Sequence, residues 1–209
     1  RIGIPSAFQR LAWASSTFVL FYILAHVDNP TEALASWSVG MRVEGLMFMP
    51  VMALSMAVAS IVGQNLGANQ VERAYQAGWK VAWIGIGLLT VMATVLYLLA
   101  GPIAQQMSKD SQTVTYVISY LQINAISEPF LALGMILGGA FQGASDTKTP
   151  MWITFFTNWI IRLPLAYFLA LYLNLGPTGA WWAMTTSVVI MGFITAWRFQ
   201  TRSWTRIHL

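Results

Sequence analysis

The stretch VAWIGIGLLTVMATVLYLLA, residues Val81–Ala100, contains no charged side chain. A helix needs about 20 mostly apolar residues to cross the hydrocarbon core of a bilayer, and this run meets that need alone. Outward from it, five further runs of similar character fill the chain: Leu11–Val27, Val43–Gly63, Tyr116–Ala140, Trp152–Leu173 and Thr178–Trp197. A chain of 209 residues is too short to bury six such helices in a soluble core. The expectation is an all-α membrane protein, a bundle of six transmembrane helices joined by short loops.

Composition agrees, with 57% hydrophobic and 9% charged residues against about 25% charged in soluble domains. Trp37, Trp79, Trp152 and Trp197 sit near run ends, where amphipathic rings favour the headgroup region. The absence of Cys excludes disulfides and thiolate metal sites. The net charge of +4 belongs to residues flanking the runs, so the bilayer is the expected partner and nucleic acid is not. With the loops alternated, Arg1, Arg10, Arg73, Lys80, Lys148, Arg198, Arg202 and Arg206 share one side. The opposite loops hold Lys109 with Asp28, Glu32 and Asp110. Positive residues mark the cytoplasmic side, which predicts that both termini are cytoplasmic.

Start and stop signals divide the runs. Asn69 followed by Glu72 has the spacing of a capping box opening the third helix. Thr149–Pro150 suits the start of the fifth, and Thr178 after Gly176 and Pro177 suits that of the sixth. Pro50, Pro129 and Pro164 fall inside spans and predict kinks. Ser55, Ala59 and Gly63 repeat every fourth residue on span 2, and Gly134/Gly138 and Gly139/Gly143 give overlapping GxxxG spacings on span 4. Small residues let helices approach closely in lipid, so these faces are expected to pack. Arg1 stands where Met would begin a complete chain, as expected of a fragment or processed product; a basic start before an apolar stretch also fits a signal peptide, but no small-residue cleavage site follows.

Two loops carry the most specific text. Val62-Gly63-Gln64-Asn65-Leu66-Gly67-Ala68-Asn69 closes span 2, and Gly139-Ala140-Phe141-Gln142-Gly143-Ala144-Ser145-Asp146-Thr147-Lys148-Thr149-Pro150 closes span 4. Together they resemble the multidrug and toxic compound extrusion (MATE) family, where VGQ-x-LGA and G-x-x-x-GAGDT-x-x-P loops occupy equivalent places. The resemblance continues through Arg162-Leu163-Pro164-Leu165-Ala166-Tyr167 and Gly179-Ala180-Trp181. Gly63, Gln64, Gly67, Gly143, Asp146 and Pro150 match these loop motifs, and Ser145 departs from the usual Gly.

The order of motifs implies the second six-helix lobe of a two-lobe, twelve-helix transporter, spanning residues 1–209. The first lobe would precede Arg1, unless a half-length chain pairs with itself. The resemblance further implies cation-coupled export, Na+ or H+ moving inward and an organic, often cationic, compound outward, in the plasma membrane of a prokaryote. It implies no other cofactor.

From the residues themselves, Glu128 is the acid that lies deep within a span. A charge there costs roughly 2.5–3.5 kcal/mol on insertion scales, so it should face protein or water. Tyr120 and Asn124 share its helical face and Pro129 follows it. Such a stripe could hold a cation or proton; equally, Glu128 could pair with Arg162 simply to hold helices together. Arg162 lies centrally in span 5 with Asn158 one turn before, and either lines a cavity or bonds carbonyls. One branch of the family places cation-binding acids on the first and fourth helices of this lobe. Here the first helix offers only Ser15, Ser16, Thr17 and His26, which puts a complete cation site in doubt. Arg42 and Glu44 are read as capping the outer end of span 2, and Met47, Phe48, Met49, Met52 and Met56 as either an adaptable drug-contacting wall or packing.

Three further classes compete with the exporter. A lipid-linked saccharide flippase shares the two-lobe plan but calls for more intramembrane cations. A membrane enzyme lacks any HExxH, GxSxG, Cys/His cluster or paired intramembrane acids. A scaffold leaves Glu128 without a role.

Overall fold

A computed structural model describes residues 3–206, the side chains of residues 3, 4, 6 and 206 excepted. Arg1, the Arg206 side chain and the C-terminal Leu209, which entered the charge argument, lie outside the described residues. The order is α1 (Gly3–Leu24), α2 (Pro30–Gly67), α3 (Val71–Met107), α4 (Ser111–Ala125), α5 (Glu128–Gly143), α6 (Lys148–Phe155), a π-helical stretch Phe156–Arg162, α7 (Leu163–Tyr167), a second π stretch Phe168–Tyr172, and α8 (Pro177–Gln200). A short 3-10 turn, Ser203–Arg206, follows.

Among the described residues, four helices against the six expected, α2, α3, Lys148–Tyr172 and α8, are long and apolar enough to cross a membrane; the bent pair α4–α5 passes only when taken together, a fifth if it is one broken span. The remaining long helix, α1, carries Gln9 and Arg10 in its first half. The membrane-helix bundle expected from the sequence is therefore the observed fold. The ends differ more. Helix α2 begins at Pro30, with Pro in its first turn and Asn29 before it in the left-handed region, so it starts 13 residues before the Val43 read from hydropathy. Helix α3 runs 37 residues, about 56 Å at 1.5 Å per residue, well beyond the hydrocarbon.

The expected capping box does not form. Asn69 has φ 58° and terminates α2: the N–H of Gln70 bonds the Asn65 carbonyl at 2.8 Å and that of Asn69 the Leu66 carbonyl at 2.9 Å. Asn is among the few residues that tolerate this left-handed C-terminal position. The cap at the fifth span is also displaced: Asp146, not Thr149, accepts the Thr149 N–H at 3.0 Å and its hydroxyl at 2.7 Å. Gly176, at φ 59°, precedes α8, which starts at Pro177 and not after Thr178. Ser145 has φ 63°, a conformation costing roughly 1–2 kcal/mol for an L-residue, which accounts physically for the family's Gly there.

Helix α5 is central and packs against α2, α3 and α8. Along α3 a stripe of mostly small residues, Ala74, Gly78, Ala82, Gly85, Leu89 and Ala93, is buried, while Trp83, Ile84, Leu88, Val91 and Val95 stay exposed. Lipid is as apolar as these side chains, so small size, not hydropathy, selects the face that packs. Trp37 departs from the interfacial expectation: it is buried against Phe21, ring centroids 4.1 Å apart.

Candidate functional site

Helix α4 carries Tyr120 and Asn124 on one face, and the chain then breaks. Helices α4 and α5 meet at 54°, with Pro129 in the first turn of α5. Pro has no N–H and its ring crowds the carbonyl four residues back, so it kinks or breaks a helix, and here the break falls just before it. Pro164 likewise follows the π stretch that ends at Arg162. Pro50 lies inside α2, which continues past it. The break sets Glu128 at the start of α5, 3% exposed, with its Oε2 buried and without a hydrogen-bond partner in the protein.

Around that carboxylate is a cavity of about 570 Å³. Tyr120, Asn124, Glu128, Asn158 and Arg162, the five residues singled out in the sequence, all line it. So do Ser16 and Thr17 of α1, and Pro150 and Gln142 of the second loop motif. Volumes of roughly 300–1,000 Å³ suit small-molecule ligands. The Asn124 side chain is fixed on both sides: its Nδ2 donates to the Tyr120 carbonyl at 3.1 Å, and its Oδ1 accepts from the Thr185 hydroxyl at 3.2 Å. Asn158 donates to the Thr154 carbonyl at 2.9 Å. Ser16 and Thr17 donate to the Trp13 carbonyl at 2.8 and 3.1 Å.

Two readings need correction. Glu128 and Arg162 form no ion pair; among the described residues the ion pair present is Arg202–Glu72. Arg162 donates instead from Nε to the Ser187 hydroxyl at 2.8 Å, which itself donates to the Met184 carbonyl at 2.7 Å. Glu44 does not cap a helix end. It lines the cavity and accepts the Tyr120 hydroxyl at 2.8 Å, so the cavity holds two carboxylates and Glu128 is not the lone interior acid. Glu44 lies 14 residues beyond Pro30, about 21 Å along the helix. The Asn29-Pro30 start signal could have revealed that depth, but hydropathy alone placed the span too late.

The packing glycines also divide. A Cβ on Gly139 would meet the Ser55 carbonyl, one on Gly143 that of Ala59, and one on Gly134 the Met191 side chain at 2.8 Å. Gly138 has nothing within 4 Å of that position and lines the cavity, so it does not pack helix against helix. Of the loop-motif residues, a Cβ on Gly63 would lie 3.1 Å from the Gly143 carbonyl, Gln64 touches Ser60 at 3.5 Å, and Gly67 ends α2. In the methionine group Met47 is buried, Met49, Met52 and Met56 are exposed, and Phe48 lines the cavity. His26 is exposed and bonds the Tyr22 carbonyl at 2.8 Å.

These features define a class: a helical membrane bundle built around a polar-lined interior cavity, with two acids and two arginines, Arg10 and Arg162, on its wall. A family profile described as MatE matches residues 5–168, and the chain belongs to that family. It is 29% identical over 204 residues to the Probable multidrug resistance protein NorM of Mannheimia succiniciproducens, covering 95% of this chain and 43% of that protein. Against the Probable multidrug resistance protein NorM of Thermotoga maritima it is 28% identical over 207 residues, covering 98% and 44%. The chain thus spans less than half the length of these curated relatives. Among solved structures, the fold matches the "MATE transporter ClbM in complex with Rb+" with a TM-score of 0.89 at 20% identity, over 98% of this chain and 48% of that one. A MOP superfamily transporter from Pyrococcus furiosus matches equally, TM-score 0.89 at 20% identity, over 96% and 45%. The likeness to the solved structures establishes the fold. The apolar helices and the family make this an integral membrane protein.

Proposed function

We propose that this chain is the second six-helix lobe of an exporter that drives organic, often cationic, compounds out of the cell in exchange for Na+ or H+. The observation that carries the reading is the carboxylate pair Glu44 and Glu128 on one cavity wall, with Tyr120 and Asn124 beside them. Interior acids are expensive in a membrane and mark ion or substrate pathways. A cation or proton held there stabilises one of two conformations, which is what exchange requires. Arg162, tethered to Ser187, adds a fixed positive charge that weakens cation binding and favours release. The facing lobe, which would complete the cavity, is supplied by the rest of the same chain.

In the full-length transporter, Glu128→Gln and Glu44→Gln should each fold normally and lose most ion-driven efflux of an organic cation from loaded proteoliposomes. Efflux at the wild-type rate and ion dependence in both variants would move coupling to the other lobe. The charge asymmetry supports cytoplasmic termini, since loop Ala68–Gln70 lies on the basic side. A cysteine placed by Gln70→Cys should resist membrane-impermeant thiol reagents applied outside intact cells; efficient labelling would invert the orientation.

A further inference from the structure

We infer that the groove between α6 and α8 binds the headgroup of an anionic phospholipid. The groove, about 330 Å³, is lined by Lys148 and Thr149 at the start of α6, Trp152 and Ile153 one turn on, and Ile194, Trp197 and Arg198 near the end of α8. Two cations from different helices therefore meet at one mouth. Neither has an acid to neutralise it: the ion pair among the described residues is Arg202–Glu72. The acid nearest in the chain, Asp146, is buried and already accepts the N–H and hydroxyl of Thr149. That also removes the Thr149 hydroxyl proton as a donor to an anion, leaving Lys148 and Arg198 as the ligands.

What makes the occupant a lipid, and not a free phosphate, is the surface leading away from the mouth. Trp152, Phe156 and Ile160 step along one helix and Trp197 and Phe193 along the other, all exposed. Two apolar ridges thus run from the cationic mouth toward the middle of the span. The order of cations, tryptophans and plain apolar side chains follows the order of phosphate, interface and acyl chain in a leaflet. A phosphodiester seated between Lys148 and Arg198, with its chains between the ridges, would brace the helix carrying Arg162 against the helix carrying Ser187.

The test is thermal unfolding of the purified full-length transporter in neutral detergent, titrated with phosphatidylglycerol, phosphatidylcholine or soluble glycerol 3-phosphate. Phosphatidylglycerol should raise the midpoint of the wild type. Its apparent affinity should fall about 30-fold in the double variant Lys148→Gln, Arg198→Gln, the effect expected of two cations at an anionic surface. The charge-preserving exchange Lys148→Arg, Arg198→Lys should restore it. Phosphatidylcholine should act alike on all, and glycerol 3-phosphate should do nothing. If the double variant folds poorly, Lys148→Gln alone, at an exposed position, should show a smaller fall of the same kind. An unchanged response to phosphatidylglycerol in these variants overturns the site, and stabilisation by glycerol 3-phosphate equal to that by the lipid makes it a free-anion site instead.

Discussion

Gly138 and Gly143 belong to overlapping repeats of one motif on one helix, yet they face opposite situations. At Gly143 the position of a side chain is taken by the Ala59 backbone, and at Gly139 by that of Ser55. At Gly138 there is open space within 4 Å, part of the cavity that Glu128 also lines. Helix α5 thus has a seam closed against α2 and a neighbouring face left open. The seam is closed by backbone against backbone, with the Ser55 hydroxyl donating to the Met135 carbonyl across it at 2.9 Å. Glycine in a membrane helix can therefore serve contact or space, and only the angle around the helix distinguishes them.

The most severe way to break this contrast is Gly143→Leu. A peptide carbonyl cannot swing aside as a side chain does, so the cost should exceed the 1–3 kcal/mol typical of overpacking. Loss of monodisperse protein after extraction, or a midpoint many degrees lower, is the expected result; a wild-type profile would mean the seam opens freely. Gly138→Leu should be milder in stability and different in kind. Its unfolding midpoint should remain near wild type while efflux falls, because the new side chain occupies cavity volume. A collapse of folding there, with transport per folded molecule intact, would return Gly138 to the seam.

The smallest effect lies outside both faces. Asp110 caps α4, accepting the Thr113 N–H at 2.7 Å, and that bond holds its carboxyl below the ordinary carboxylate range. A lowered folded-state pKa means the cap stabilises above the unfolded value and loses its contribution as pH falls through the folded one. Asp110→Ala should thus lower the unfolding midpoint slightly at neutral pH, with the difference from wild type shrinking below about pH 4. A difference that persists at low pH would point to the loss of local packing and not of the charged cap.

How far the site was legible depended on what each residue advertises. Tyr120, Asn124 and Glu128 lie four apart around a proline, and helical spacing alone placed them together. Arg162 and Asn158 reached the same cavity because polar groups in a span have few other places to go. Glu44 reads as a helix-end residue because it sits near Arg42 and Glu32, where hydropathy falls as at the end of a span. Its depth follows from the helix beginning at Pro30, and its partner, Tyr120, is 76 residues away.

The sequence by itself determined the solvent of the fold, its helical class, the break before Pro129 and the family. Each depends on composition or spacing within one segment, and a bilayer enforces such rules because backbone polar groups must be satisfied inside each helix. The tertiary structure decided which glycines touch, which acid joins Glu128, that Arg162 bonds Ser187 and not a carboxylate, and that Asn69 ends one helix and does not open the next. Those outcomes turn on rotation about helix axes and on one- or two-residue shifts at their ends. In lipid no difference in hydropathy distinguishes one apolar face from another, so only the mutual fit of neighbouring helices sets them.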